Sequence, residues 1–288
     1  MLAIYKKELR CFFSSMIAPA VIAFILMFAG LFVSLGSLFS LAASIETSYT
    51  NTLFVLLIAV PLLSMRSLAR EKSSGTQKLL DSLPVSPVTY IIGKFFAMLT
   101  VIAIPLVTVF LYTFVLGMYG KVNYLSSFSA TVAFILCAGA MLSIGLFISS
   151  MSANEPICAA ATFTCLLTVY FLPTIVAMLP RTSLASFLIL SVMIIALGIL
   201  AGYLAASKTV CYIVWLLLEG VLIGVLCVFP QLLEGAAANI VSWLSLTERF
   251  SSFALYGIFD LSSIAYYLSV TALFLFFTYL SAEKRRIG

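Results

Sequence analysis

The sequence predicts an all-α, polytopic membrane protein with about eight transmembrane helices. Of its 288 residues, 64% are hydrophobic and only 9% are charged, whereas soluble domains carry roughly 25% charged residues. A soluble fold of this composition would expose large apolar patches to water, and the composition also excludes a disordered or collagen-like chain. The apolar residues fall into runs of about 20, which is the length that a helix needs to cross the hydrocarbon core of a bilayer.

Eight apolar segments meet this length criterion. In chain order they are residues 17–41, 50–67, 90–117, 127–150, 156–179, 184–206, 210–230 and 263–281. A proline and an arginine separate the fifth span from the sixth, which predicts a tight hairpin, although one span between residues 156 and 230 could be half-inserted. The first span could instead belong to a signal peptide, but its apolar stretch exceeds the typical length of about 7–15 residues.

Residues 1–14 precede the first span and are predicted to form an interfacial elbow helix. Apolar residues such as Leu2, Tyr5 and Leu9 recur at helical spacing, while the basic residues occupy another face. Such a helix lies at the membrane surface with its cations toward anionic headgroups. Membrane anchoring is the simpler role for this helix, and docking of a partner is the alternative.

The basic residues predict the orientation of the chain in the membrane. If the N-terminus is cytoplasmic, the eight spans leave only Lys121, Arg181 and Arg249 outside, so twelve of the fifteen basic residues lie inside. This asymmetry follows the positive-inside rule and places both termini in the cytoplasm. The basic balance therefore reports topology, and we expect no nucleic-acid partner.

Residues 70–88, between the second and third spans, are predicted to form a cytoplasmic coupling segment. Gly75 is expected to end the preceding helix, and Thr76 to cap a short new one. Pro84 would end that short helix, and Ser86 followed by a proline is typical of the first turn of the next helix. Because breaker residues tie the segment to two spans, a partner could push both spans through it; an ordinary solvated loop is the alternative.

This segment resembles the signature that follows the second span in ABC-2 type transporter permeases. The resembling residues are Glu71, Gly75-Thr76, Leu79-Leu80, Pro84-Val85-Ser86 and Gly93-Lys94. The opening Tyr5-Lys6-Lys7-Glu8-Leu9 and stretches of the tail from Trp243 to Arg286 are also similar, and the branch of gliding-motility-associated permeases is the most similar one. Two features depart from the family pattern: Arg70 stands where an acidic residue is common, and the hairpin at 184–230 is added to the usual six spans.

The resemblance implies the membrane-spanning subunit of an ATP-binding cassette exporter, built as a single permease domain over residues 1–288. A separate ABC ATPase subunit would bind ATP and Mg²⁺, so no cofactor is expected on this chain. A second permease chain, identical or different, would complete the transporter in the bacterial inner membrane. The residues on which the ATPase would dock are Glu71, Gly75, Thr76, Leu79, Leu80 and Pro84.

The residues themselves indicate that the chain alone is not an enzyme. It has no histidine, which excludes Ser-His-Asp and Cys-His catalytic units and histidine-ligated metal sites. The nearest approach to the phosphate-binding GxxxxGK[ST] pattern is at residues 202–209, where Ser207 replaces the required glycine. The only two aspartates, Asp81 and Asp260, are predicted to lie on opposite sides of the membrane, so no catalytic pair forms. We therefore expect no catalytic, metal or cofactor site.

Glu219 is the one acidic residue predicted deep within a span, and it is a candidate for the translocation path. A charge at mid-bilayer costs roughly 2.5–3.5 kcal/mol, so such residues usually face protein or water; a role in helix packing is the alternative. Two GxxxG motifs, at residues 198–202 and 220–224, predict that the sixth and seventh spans pack on each other. Residues 231–262 are predicted to lie in the outer interface or to dip back into it.

Two other functions remain open at this point. An ion-coupled secondary transporter would show an inverted repeat and several charges near the midplane, whereas Glu219 stands nearly alone. A non-transporting membrane scaffold of an assembly complex would keep the same motifs as an active permease. An ATPase gene beside this one would favour the exporter.

Overall fold

The computed structural model describes residues 1–39, 45–76, 86–118, 120–178, 182–204, 208–228, 230–256 and 260–287. These residues form α-helices and one π-helical turn, with no β-strand in the described ranges, which confirms the predicted all-α class. The helices are α1 (Leu2–Ser14), α2 (Ile17–Val33, continued by the π-turn Ser34–Leu38), α3 (Glu46–Ser64), α4 (Ala69–Ser73), α5 (Pro87–Gly117), α6 (Tyr124–Met151), α7 (Glu155–Met178), α8 (Ser183–Leu204), α9 (Lys208–Val228), α10 (Pro230–Leu233), α11 (Ala236–Leu244), α12 (Leu246–Tyr256) and α13 (Leu261–Ile287).

Six helices in the described chain are long and apolar enough to cross a membrane. They extend over Ile17–Ser37, Glu46–Ser73, Pro87–Gly117, Tyr124–Met151, Glu155–Ile175 and Leu261–Lys284. These helices coincide with six of the eight predicted spans. The other two predicted spans fall on α8 and α9, whose described apolar stretches, Ser183–Ala196 and Trp215–Gly224, are shorter. Membrane crossing by this pair stays a prediction.

The chain divides into two compact units, of which the first contains Met1–Leu167 and Arg249–Gly288. Helix α6 is its central element and packs against α3, α5 and α13. Its small residues allow neighbouring backbones to approach closely: a methyl group added at Gly145 would lie 2.8 Å from Ser64 Oγ. Large side chains then fill the space between helices, and Phe134 is completely buried.

Helix α1 lies against α5 in this unit. Gly93 allows Ile4 to approach α5 closely, and Tyr5 Oη lies 3.1 Å from Thr100 Oγ1 in a hydrogen bond. The predicted helix over residues 1–14 is confirmed as α1, and Phe12 is buried on the face toward α5; its location at the membrane surface stays a prediction. The acidic Glu8 is also buried on that face, which the pattern of apolar residues did not indicate.

Two local predictions around the coupling segment are confirmed. Gly75 has φ +72°, a left-handed conformation that glycine adopts without the strain imposed by a Cβ atom, and it follows the last turn of α4. The Ser86 Oγ accepts the backbone N–H of Thr89 at 3.4 Å at the start of α5, where a proline occupies the first turn. Residues 77–85 lie outside the described residues.

The second unit contains Thr168–Glu248. Helices α8 and α9 pack on each other, and a methyl group added at Gly198 would lie 3.0 Å from Trp215 Cδ1. This contact confirms that the predicted sixth and seventh spans pack together, with one glycine of the GxxxG motifs in the contact. Helices α10 and α11 pack against α8, and Trp243 on α11 is 73% exposed. The interfacial location predicted for residues 231–262 stays a prediction.

Candidate functional site

A buried lysine lies where α1, α4 and α5 meet. Lys94, two turns into α5, is 1% exposed. Its Nζ lies 3.2 Å from Glu8 Oε2 and 3.0 Å from Glu71 Oε1, and it donates a hydrogen bond to the Ser67 carbonyl oxygen at 2.8 Å. A buried charge is tolerated only when it is paired and hydrogen-bonded, and these contacts meet both conditions. We refer to Glu8, Glu71 and Lys94 as the Lys94 triad.

The environment of the triad keeps the ammonium away from water. The Tyr90 ring, one helical turn before Lys94, has its centroid 4.9 Å from Nζ, within the range of a cation–π contact. The side chains of Glu8 and Glu71 are 9% and 14% exposed. Lys7 lies 3.9 Å from Glu8, but its side chain is 61% exposed, so that surface pair adds little. The Lys94 ammonium is therefore the main cation for both carboxylates.

Helix α4 is also attached to the end of α6. The Ser149 Oγ accepts the backbone N–H groups of Leu68 at 3.2 Å and Ala69 at 3.1 Å. The first N–H groups of a helix have no partner within that helix, so a side chain from α6 provides the cap for α4. In addition, Lys72 Nζ donates a hydrogen bond to the Ser150 carbonyl oxygen. These hydrogen bonds hold α4 on the end of α6. The ion pair between Glu71 and Lys94 holds α4 on α5.

A second ion pair joins the neighbouring helix ends. Arg66 Nε, just beyond α3, lies 3.6 Å from Glu155 Oε2 in the first turn of α7. Both side chains are partly exposed, at 35% and 28%, so this pair is weaker than the contacts of Lys94. The polar contacts at this end of the first unit thus join the segment after α3 with α1, α4, α5, α6 and α7.

The chain turns to an exposed surface immediately after α4. Ser73, Ser74, Gly75 and Thr76 are all exposed, and Ser74 Oγ lies 2.9 Å from Thr76 Oγ1 in a hydrogen bond. Two of the predicted docking residues, Gly75 and Thr76, therefore lie on this surface. The Glu71 side chain is instead largely buried and contacts Lys94. The other predicted docking residues, Leu79, Leu80 and Pro84, lie outside the described residues.

Glu219, the predicted residue of the translocation path, lies on α9 in the second unit. Its Oε1 is buried and has no hydrogen-bond partner among the described residues, and the same holds for Trp215 Nε1 one turn earlier. A buried polar atom without a partner is costly. The role of Glu219 stays a prediction.

Sequence reasoning treated Glu8 and Lys94 as cytoplasmic charges and as part of the family resemblance, and it missed that they meet. Two signals were present in the sequence. Glu8 falls on the same helical face as Ile4 and Phe12, and Lys94 lies two turns into an otherwise apolar helix. A charged residue in either setting needs a partner, but only the fold shows that Glu8 and Lys94 pair with each other.

Comparison with known protein families agrees with this architecture. A family model described as ABC-2 family transporter protein matches residues 2–179, which includes the Lys94 triad and more than half of the chain. No curated protein matches the chain. The family prediction is confirmed, whereas the match does not support the gliding-motility branch. The chain therefore belongs to the ABC-2 transporter family and is a multi-pass membrane permease.

Proposed function

We propose that this chain is the membrane-spanning subunit of an ABC exporter and that a separate ABC ATPase drives it by acting on residues 70–88. The supporting observation is the attachment of α4. Buried contacts from Glu71 and capping by Ser149 hold α4 on α5 and α6, and the chain then reaches an exposed surface at Gly75. A displacement applied at that surface would be passed to membrane helices instead of being lost in a flexible loop.

The proposed docking surface combines exposed residues of the structure with residues carried over from the family resemblance. Gly75 and Thr76 are exposed, and Leu79, Leu80 and Pro84 follow them in the sequence. Since Glu71 is only 14% exposed, it would contribute by holding α4 in position. ATP and Mg²⁺ would bind to the ATPase subunit and not to this chain.

The remaining parts of the proposal concern the assembly and its membrane. A second permease chain, identical or different, would complete the translocation path, as the family resemblance implies. The charge asymmetry of the sequence favours cytoplasmic termini, and a bacterial inner membrane would be the location. Outward transport and membership of the gliding-motility-associated branch rest on the resemblance alone.

Co-purification tests the docking proposal. The double variant Gly75→Pro with Leu79→Asp alters the backbone at Gly75 and replaces an apolar residue with a charged one, so an ABC ATPase co-expressed with it should no longer co-purify. The matched control is Gly120→Pro with Lys121→Asp, in the exposed connection at the other end of α5. Both variants should insert into the membrane. Retained co-purification of the Gly75 and Leu79 variant would show that docking does not use this segment.

The activity of the purified complex tests the exporter itself. ATP hydrolysis that rises when candidate substrates are added would support export. An ATPase that binds without such stimulation would favour a scaffold, and transport that follows an ion gradient without any ATPase would favour a secondary transporter. In the same assay, Glu219→Gln with normal folding and unchanged transport would remove Glu219 from the translocation path.

A further inference from the structure

We propose that the Lys94 triad transmits the displacement of α4 to α1, and through α1 to the first membrane span. This inference rests on the proposed function, because it assumes that an ATPase moves the segment that follows α4. The triad residues are positioning residues: they act through contacts within the chain and touch neither ATP nor substrate.

The first step of the argument is the sharing of one ammonium by two helices. Lys94 Nζ holds Glu71 of α4 at 3.0 Å and Glu8 of α1 at 3.2 Å. All three side chains are largely buried, where separating an ion pair leaves charges that water does not compensate. A movement of α4 therefore carries Lys94 and Glu8 with it, unless the buried pairs break.

The second step is the attachment of α1 along α5. Gly93 brings Ile4 into close contact with α5, and the Tyr5 hydroxyl bonds to Thr100 at 3.1 Å. Together with Glu8, these contacts hold α1 at successive turns, so α1 moves as one rigid body. A salt bridge alone would let the helix pivot about a single point.

The third step is the short connection from α1 to α2. Only Ser15 and Met16 separate the two helices, and Met16 has φ +61°, a left-handed conformation that is strained for a residue with a side chain. A connection of two residues with a constrained backbone absorbs little movement. Displacement of α1 is therefore passed to α2, the first candidate membrane span.

A substitution at Glu8 tests whether movement passes from α4 to α1 without leaving an unpaired buried charge in the fold. Glu8→Leu removes the contact of α1 with Lys94 but leaves the Glu71–Lys94 pair, so no buried charge is left alone. The matched control is Lys6→Leu, which introduces the same residue at an exposed position of the same helix. A second variant, Glu8→Leu with Glu71→Gln and Lys94→Met, removes all charges of the triad and replaces them with groups of similar size.

The experiment measures hydrogen exchange by mass spectrometry on the permease–ATPase complex in lipid nanodiscs, with and without ATP plus vanadate. In the wild type and in Lys6→Leu, we expect the trapped nucleotide to change deuterium uptake both in residues 64–76 and in α1. In Glu8→Leu, the response of residues 64–76 should persist and the response of α1 should be lost. The variant without triad charges should also lose the α1 response.

The outcomes separate this inference from the proposed function. An α1 response of wild-type size in Glu8→Leu overturns the inference. The inference is also overturned if residues 64–76 of the wild type respond to trapped nucleotide but α1 does not. In that case the proposed function stands. If residues 64–76 of the wild type do not respond to trapped nucleotide, the proposed function fails and the inference fails with it. If Glu8→Leu does not fold, the variant without triad charges decides by the same criterion.

Discussion

The ammonium of Lys94 is the main counter-ion of two largely buried carboxylates, those of Glu8 and Glu71. We expect Lys94→Met to lower the free energy of unfolding by about 3 kcal/mol, because removing one partner of a buried ion pair leaves uncompensated charge. Unfolding with SDS in mixed micelles measures this loss. Lys6→Met, at an exposed position of α1, is the control and should change stability by less than about 0.5 kcal/mol. Equal stability of the two variants would contradict the assigned role of Lys94.

Asp260 provides a pH-dependent contribution at the start of α13. Its Oδ2 accepts the Ser263 hydroxyl at 2.5 Å and its Oδ1 accepts the backbone N–H of Ser262 at 3.1 Å. These hydrogen bonds, led by that of Ser263, lower the pKa of Asp260 below its ordinary value. Since the folded pKa is lower than the unfolded pKa of about 3.9, the stabilisation is present above that value and is lost as pH falls through the folded pKa.

The comparison of wild type with Asp260→Asn tests this contribution. The difference in thermal midpoint between the two proteins in detergent should shrink as the pH is lowered from about 6 to about 3, because protonated Asp260 resembles asparagine. Ser263→Ala should reduce the pH dependence, since it removes the main cause of the lowered pKa. A midpoint difference that stays constant over this range would show that the carboxylate of Asp260 does not stabilise the fold.

Residues whose role depends on the local chain were predictable, and residues whose role depends on distant neighbours were not. The turn at Gly75 and the cap at Ser86 follow from local backbone chemistry, and the structure has both. The pairing of Lys94 with Glu8 and Glu71 joins residues far apart in the sequence. No local pattern contains that information, so the sequence indicated only that these charges need partners.

At the scale of elements, α4 depends on a cap supplied by another helix. The Ser149 hydroxyl accepts the N–H groups of Leu68 and Ala69, so Ser149→Ala leaves two backbone donors without this partner. We expect a loss of about 1–2 kcal/mol and faster hydrogen exchange in residues 68–73. The control is Ser150→Ala, because the Ser150 hydroxyl bonds to Phe147 within its own helix and its carbonyl still accepts Lys72. Similar exchange in both variants would argue against capping by Ser149.

The packing of α6 against α3 gives a second test at this scale. A methyl group at Gly145 would lie 2.8 Å from Ser64 Oγ and 2.9 Å from Ser64 Cβ, whereas one at Gly139 would make ordinary contacts at 3.6 Å or more. Gly145→Ala should therefore cost about 1–3 kcal/mol through overpacking, measured by unfolding with SDS. Gly139→Ala, in the same helix, should be neutral or stabilising because alanine favours the helix. The opposite order of stability would contradict the close contact between Gly145 of α6 and Ser64 of α3.

Most of the helices were predictable from the sequence, whereas the residues at which they begin and end were less so. The second span was predicted to begin at residue 50, but α3 begins at Glu46. Glu46, Thr47 and Ser48 are polar, so hydropathy places the start of the apolar span after them. In the fold, Ser127 Oγ donates to Glu46 Oε1 at 3.4 Å, and the Tyr49 hydroxyl lies 2.9 Å from Thr131 Oγ1. Partners on α6 thus allow polar residues to be buried in α3, which hydropathy alone does not anticipate.

At the scale of the whole molecule, charge is scarce and unevenly placed. The chain has 15 basic and 10 acidic residues, and the ion pairs of Lys94 and Arg66 all lie at one end of the first unit. If that end faces the cytoplasm, the same residues that set the orientation also hold α4 in place. Orientation and coupling would then depend on one set of charges, so a test of topology also tests the side from which an ATPase could act.

Cysteine labelling decides the orientation. In a background without the six native cysteines, Ser73→Cys at the end of α4 and Lys121→Cys after α5 provide two exposed thiols. We expect an impermeant maleimide to label Lys121→Cys on intact spheroplasts, and Ser73→Cys only after permeabilisation, because the positive-inside rule places residue 73 in the cytoplasm. The reverse pattern would invert the topology and remove the surface at Gly75 from the reach of a cytoplasmic ATPase. Lys208→Cys, at the start of α9, distinguishes the span counts: eight spans require labelling only after permeabilisation, whereas a hairpin that does not cross leaves residue 208 accessible from outside.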